Sequence, residues 1–128
     1  MRMEASNMSE RYSRMKAIVN SYEGLDLHDK KNGMGFKFPV YIKDSYKDLD
    51  IEALDLSVRS YNCLKRAGFG TVYDLMNGIS GRLDLKRIRN CGDNSSREIM
   101  ESLFLFQYMN LKPEQRDWYI KKIAEMNS

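Results

Sequence analysis

The sequence predicts a mainly α-helical protein, built as a compact bundle of short helices with a further helix at each end of the chain. Apolar residues recur at spacings of three and four over most of the chain, which is the period of an amphipathic helix. Glycines and capping residues divide this pattern into short segments. One stretch before residue 48 alternates with a period of two and allows a small β-hairpin beside the helices.

The composition is that of a globular protein. The 128 residues are 42% hydrophobic and 30% charged, which suits one domain with appended segments. No apolar run reaches the roughly 18 residues of a membrane-spanning helix, and the first residues lack the apolar stretch of a signal peptide. We therefore expect a cytoplasmic protein that does not bind a membrane.

Cysteine and histidine are too scarce for metal or nucleophilic chemistry. The two cysteines, Cys63 and Cys91, and the single histidine, His28, cannot form a four-ligand zinc site of the usual spacing. His28 has no nearby serine or cysteine that would indicate a catalytic triad. We expect two free thiols, no metal, no other cofactor and no enzymatic activity.

Residues 1–48 combine a helix with an arm of a different period. An apolar stripe on the helix predicts a docking face, either for this protein's own core or for a partner, including a second copy in a homodimer. After Gly24 the period falls to two around Asn32-Gly33, which indicates either a tight hairpin or an extended arm across the helices. The stripe consists of Met8, Tyr12, Met15, Val19 and Tyr22.

Residues 49–111 are predicted to form the helical centre of the protein. Ser57 is a suitable N-cap for a helix that runs to about Ala67. Thr71 begins a second short helix that runs through Met76. The inward-facing residues of the first helix are expected to be Val58, Tyr61, Cys63 and Leu64.

The second half of this centre repeats the arrangement of two helices joined by a tight turn. A third short helix is expected around residues 83–88, and a turn at residues 90–96 leads into a longer helix that ends near Tyr108. Residues 112–128 form a last helix on the same core, beginning at Pro113. Its inward-facing residues are expected to be Trp118, Ile123 and Met126.

The turn at residues 90–96 has the chemistry of a phosphate contact. Gly92 lets the main chain approach a phosphate closely, and the helix start that follows offers unpaired N–H groups. Asn94, Ser95 and Ser96 lie at this helix start. The alternative is that Gly92 only shapes the turn, while Ser95 and Glu98 form a capping box.

A basic and polar set follows one face of the first central helix and is suited to a DNA groove. It consists of Arg59, Asn62 and Lys65. Residues 49–111 contain 8 Lys and Arg against 8 Asp and Glu, so DNA binding there must depend on the placement of a few charges. An acidic run before this helix serves either solubility and the helix dipole or a basic partner. That run is Asp48, Asp50, Glu52 and Asp55.

Residues 51–111 resemble the C-terminal domain of the bacterial RNA polymerase alpha subunit. The resemblance is strongest in residues 54–68, Leu-Asp-Leu-Ser-Val-Arg-Ser-Tyr-Asn-Cys-Leu-Lys-Arg-Ala-Gly, and continues through the Thr71-Val72 helix start and the corner at Gly92. It implies a compact bundle with helix-hairpin-helix character. It further implies binding to the minor groove of A+T-rich DNA and contacts with activators and sigma factor.

The resemblance implies a role for individual residues. Arg59 corresponds to the arginine inserted into the minor groove, where a narrow A-tract concentrates negative potential. Asp55 corresponds to an acidic position used toward sigma factor. The companions of Arg59 are Asn62, Cys63 and Lys65, and the hairpin residues that meet or organise the phosphate contact are Gly92, Ser95 and Glu98.

Two departures from the family pattern modify this expectation. Asp93-Asn94 stands where the family commonly has two lysines, so binding to double-stranded DNA should be weaker and less sensitive to salt. The large assembly domain of the subunit has no counterpart in residues 1–48. We therefore expect a stand-alone DNA-binding accessory of transcription. The alternative is a protein-interaction module that binds RNA polymerase, sigma factor or itself with little DNA affinity.

Overall fold

The computed structural model describes residues 10, 13–19, 38–78 and 91–126, with the side chain of Asp93 excepted. The described part is helical and contains no strand. No helix within it is long and apolar enough to span a bilayer. Its elements are α1 (residues 13–19), two 3₁₀ turns (Asp44–Asp48 and Ile51–Leu54), α2 (Val58–Arg66), α3 (Val72–Gly78), α4 (Gly92–Met109) and α5 (Pro113–Met126).

Helix α2 begins and ends where the sequence predicts. The Ser57 hydroxyl oxygen accepts a hydrogen bond from the Ser60 N–H at 3.3 Å, which satisfies one of the free donors at the helix start. Ala67 is the C-cap, and Gly68 follows with φ +93°, a conformation that favours glycine. The Ser57-to-Ala67 prediction is therefore confirmed.

Helix α3 is tied to the segment before α2. Thr71 Oγ1 accepts a hydrogen bond from the Asp74 N–H at 3.0 Å, as expected for its cap, and the helix continues through Gly78. An isolated antiparallel bridge joins Asp50 to Thr71, so the second 3₁₀ turn lies beside the start of α3. The helix expected at residues 83–88 lies outside the described residues.

Helix α4 separates two clusters of buried residues. Its 18 residues, from Gly92 to Met109, are apolar on more than one side, so a core can form against each half. The first core joins the second 3₁₀ turn, α2 and α3 to the N-terminal half of α4, and the second joins α1 and α5 to the C-terminal half. Prominent members are Ile51, Leu64, Leu75 and Ile99 in the first, and Phe104, Tyr119, Ile120 and Ile123 in the second.

The N-terminal stripe packs inside the protein where it is described. Met15 and Val19 on α1 are fully buried in the second core. This confirms, at these two positions, the interpretation that the stripe docks on the protein's own core. Met8, Tyr12 and Tyr22 lie outside the described residues.

Residues 38–43 form an extended arm rather than a strand. The buried Gln107 side chain on α4 holds the arm, because its Oε1 accepts a hydrogen bond from the Tyr41 N–H at 2.7 Å. Gln107 Nε2 donates to the Pro39 carbonyl oxygen and to the Tyr119 hydroxyl oxygen. The arm crosses α4 and α5, which is one of the two predicted alternatives. The Asn32-Gly33 turn lies outside the described residues.

Replacing Gln107 should release this arm. Gln107→Ala removes the acceptor of the Tyr41 N–H, and we expect it to lower the free energy of unfolding by about 2–3 kcal/mol. Hydrogen exchange at the Tyr41 amide should accelerate. The exposed Gln115 on α5 is the matched control, since Gln115→Ala should leave Tyr41 exchange unchanged. Unaltered Tyr41 exchange in Gln107→Ala would contradict this assignment of the arm.

The prediction that a residue faces inward is wrong at three positions. Trp118 and Met126 on α5 are 53% and 38% exposed, and Val58 on α2 is 59% exposed. On α5 the core takes Tyr119, Ile120 and Ile123, and helical geometry turns Trp118 roughly 150° from the centre of that face. Of the residues predicted for α5, only Ile123 is buried.

The expectation of two free thiols is also wrong. Cys63 on α2 and Cys91 at the N-cap of α4 form a disulfide, and both are fully buried. Their Cα atoms are 5.7 Å apart, within the range of about 4.4–6.8 Å that disulfides span. Because the two residues are 28 positions apart in sequence, only the packing of α2 against α4 could reveal this pairing.

Candidate nucleic-acid interface

The candidate interface begins with the exposed side of α2. Arg59 and Asn62 are exposed and lie almost one helical turn apart. Arg59 forms no ion pair with any other described residue, and its side chain is exposed. The Ser57 cap immediately before the helix defines its first turn and therefore the direction in which Arg59 leaves the backbone.

A buried carboxylate holds the start of α2 against α4. Glu98 Oε1 accepts hydrogen bonds from the Ser57 N–H and from the Ser57 hydroxyl, both at 2.9 Å. Glu98 is 2% exposed, so it does not contact a ligand directly. It positions Arg59 through the helix cap. Sequence reasoning missed Ser57 as its partner, since the two residues are 41 positions apart.

The start of α4 is shaped by glycine. Gly92 is exposed and has φ +62°. A Cβ added there would have no neighbour within 4 Å among the described residues, so no described atom blocks the approach of a group to this main chain. Asn94 is exposed beside it, whereas Ser95 and Ser96 are buried. The Ser96 hydroxyl donates to the Gly92 carbonyl oxygen at 2.7 Å. Of the predicted phosphate-contacting side chains, only Asn94 is therefore accessible.

The capping box predicted at Ser95 and Glu98 is not formed. Cys91 is the N-cap of α4 and has no side-chain capping bond, because α4 begins earlier than the serine. The Glu98 side chain reaches Ser57 instead. Gly92 shapes the turn, since it adopts a positive φ.

The disulfide brings the two parts of the interface together. Cys63 lies one residue after Asn62, and Cys91 lies one residue before Gly92. The bond therefore holds the exposed side of α2 beside the start of α4. The Cys63 side chain is buried and bonded, so any contact that this residue makes with DNA must come from its main chain.

Lys65 is engaged within the protein. Its ammonium nitrogen lies 2.6 Å from Asp50 Oδ2 and 3.4 Å from the Gly70 carbonyl oxygen, and 5.3 Å from the centre of the Tyr61 ring. The bond to Asp50 raises the pKa of Lys65. The same bond lowers the pKa of the Asp50 carboxyl. A hydrogen bond at 2.8 Å, which the Glu52 N–H donates to Asp50 Oδ1, lowers it further. Lys65 is thus paired rather than presented to a ligand.

The residues of the acidic run before α2 make different contacts. Asp50 caps the second 3₁₀ turn and pairs with Lys65. Asp55 ends that turn in the left-handed conformation, with φ 53°, and is exposed. Among the described residues no group of three His, Cys, Asp or Glu side chains could hold a metal ion.

A short capped helix with an exposed arginine is bonded through a disulfide to a longer helix that begins at a positive-φ glycine, and together they define a small helical domain. Residues 42–104 match the family of the C-terminal domain of the bacterial RNA polymerase alpha subunit. The domain formed by these residues belongs to this family, as the resemblance of residues 54–68 indicates. The match begins before the predicted residue 51 and ends within α4.

A curated relative supports the same family. The chain is 48% identical over 61 residues to a DNA-directed RNA polymerase subunit alpha of Moorella thermoacetica. That region covers 48% of this chain and 19% of the relative, so the chain spans about a fifth of the relative's length. No solved structure matches the chain.

Proposed function

We propose that the chain is a DNA-binding accessory of bacterial transcription that reads the minor groove of A+T-rich DNA through Arg59. The single observation that supports this role best is the exposed Arg59 guanidinium, held by a capped helix next to the open main chain at Gly92. An arginine in a narrow A-tract groove is attracted by its enhanced negative potential. Gly92 and Asn94 then lie beside the adjoining phosphate. Such binding takes place in the cytoplasm.

The proposed binding is weak. Lys65 is paired with Asp50, and the sequence at the start of α4 has Asp93 where a cation would strengthen a phosphate contact. Each phosphate that a protein neutralises contributes about 0.9 to the slope of log affinity against log salt. Two fewer phosphate contacts therefore predict a shallow salt dependence and low affinity at physiological salt.

Replacing Arg59 tests the proposal. In fluorescence-anisotropy titrations at low and near-physiological salt, the unmodified protein should bind an A+T-rich duplex more tightly than a G+C-rich one. Arg59→Ala should weaken A+T-rich binding about tenfold or more and abolish the preference, because the groove contact is lost. Lys121→Ala removes an exposed cation on α5 and serves as the control, with little change expected.

Two outcomes of this titration would count against the proposal. No binding to either duplex at low salt would exclude a role on DNA. Retention of the A+T preference by Arg59→Ala would exclude Arg59 as the groove residue. Circular dichroism of each variant shows whether α2 is intact, so a loss of binding is not confused with unfolding.

A second candidate function is protein interaction with little DNA affinity, the partner being RNA polymerase, sigma factor or a second copy. The observation that favours it is the exposed Asp55, which lies on an acidic turn while Lys65 is already paired. The Arg59→Ala variant separates the two functions. Capture of purified polymerase or sigma factor should survive this change if protein binding is the function.

A further inference from the structure

Helix α2 has two exposed edges on either side of its buried face. Its buried residues are Ser60, Cys63 and Leu64. Arg66 lies seven residues after Arg59, which is two turns, so the two side chains leave the helix within about 20° of each other. Asn62 lies between this edge and the opposite one, about 60° from Arg59. Lys65 leaves the helix about 120° from Arg59, on the edge that also carries Tyr61.

The two edges face different parts of the protein. Cys63 lies between the Arg59 edge and the core, and its bond to Cys91 places that edge next to the start of α4. The other edge faces the second 3₁₀ turn and the segment before α3, since Lys65 donates to Asp50 and to the Gly70 carbonyl oxygen. Lys65 is therefore turned away from Gly92.

Lys65 and Arg66 differ in whether their charge is already paired within the protein. The Lys65 ammonium is paired with a carboxylate that is itself fixed by the Glu52 N–H. Arg66 is exposed and, among the residues that the structure describes, forms no ion pair. A guanidinium also binds a phosphate through two parallel hydrogen bonds, which an ammonium cannot do.

The separation of Arg59 and Arg66 suits two different parts of a duplex. Seven residues of helix span about 10 Å along the axis, whereas the minor groove is about 6 Å wide. With the axis of α2 lying across the groove, an arginine two turns from the one in the groove lies over the phosphates that border it. We infer that Arg66, and not Lys65, is the second DNA-contacting cation of α2, and that it binds the phosphate backbone. This inference rests on the proposed function.

The test compares Arg66→Ala with Lys65→Ala in anisotropy titrations on A+T-rich and G+C-rich duplexes over a fourfold range of salt. Arg66→Ala should weaken binding to both duplexes about three- to tenfold and keep the A+T preference, because a phosphate carries no sequence information. Its salt slope should be smaller by about 0.9. Lys65→Ala should stay within about twofold of the unmodified protein, as should the control Lys121→Ala.

The outcomes separate this inference from the proposed function. If the unmodified protein prefers A+T-rich DNA but Lys65→Ala weakens binding and reduces the salt slope while Arg66→Ala does neither, the inference is overturned and the proposed function stands. If the unmodified protein binds neither duplex, both are overturned. The salt slope reports phosphate contacts directly, so a change in stability alone would not reproduce the expected result.

Discussion

Reducing the Cys63–Cys91 disulfide is expected to lower the free energy of unfolding by about 3.5 kcal/mol. The bond closes a loop over a sequence separation of 28 residues, and in the chain-entropy description a closed loop of that length restricts the unfolded protein by about this amount. Both sulfurs are buried, so the bond must be reduced in the unfolded protein before refolding. Local order at the start of α4 should decrease together with global stability.

Denaturant unfolding of the oxidised and reduced proteins measures this effect. The Cys63→Ala/Cys91→Ala double variant is the control, since reductant should not move its unfolding midpoint. Thiol titration of the denatured, unreduced protein should find no reactive thiol, because the sequence has only these 2 cysteines. Two thiols per molecule, or equal midpoints with and without reductant, would contradict the covalent tie.

Glu98→Ala should have an effect of similar size. The change leaves the buried Ser57 N–H and hydroxyl without the carboxylate oxygen that each contacts at 2.9 Å. Removing one partner of a buried, charge-assisted pair costs the desolvation of the group that remains, and we expect a loss of about 2–4 kcal/mol. DNA binding should weaken in the folded protein as well, because Ser57 caps the helix that carries Arg59.

Glu98→Gln is the matched variant for this prediction. A glutamine oxygen can still accept both hydrogen bonds from Ser57, so the loss of stability should be about half that of the alanine variant or less. Glu114→Ala, at an exposed position in the first turn of α5, controls for the loss of one carboxylate. Equal destabilisation by Glu98→Gln and Glu98→Ala would show that the accepting oxygen is not what holds α2.

These two contacts have a common consequence for the site. The disulfide fixes the second turn of α2, and Glu98 fixes the residue before its first turn. Arg59 lies between the two attachment points. Its backbone is therefore held from both sides against α4, while its side chain remains exposed. A rigid support of this kind reduces the ordering that a groove contact would otherwise require.

The second core extends the protein beyond the family match. Residues 42–104 end inside α4, whereas Tyr119, Ile120 and Ile123 on α5 and Met15 on α1 complete the packing around its C-terminal half. A long central helix that is apolar on both sides needs a second layer, because its unburied face would otherwise be in water. The N- and C-terminal segments supply that layer.

Local sequence signals predicted the helices and the family. Ser57, Thr71 and the apolar spacing indicated α2 and α3 because capping and periodicity depend only on neighbours within one or two turns. The same local reasoning failed at Trp118 and Val58. The spacing of apolar residues does not determine which face of a helix packs on the core when more than one face carries apolar residues.

The sequence by itself determined the helical class, the helix boundaries around α2, the family resemblance of residues 51–111 and Arg59 as a candidate DNA residue. Only the tertiary structure decided that Cys63 is bonded to Cys91, that Glu98 accepts hydrogen bonds from Ser57 and that Lys65 is paired with Asp50. The physical reason is distance along the sequence. These pairs are 15 to 41 residues apart, and no local rule relates groups that meet only when separate helices pack.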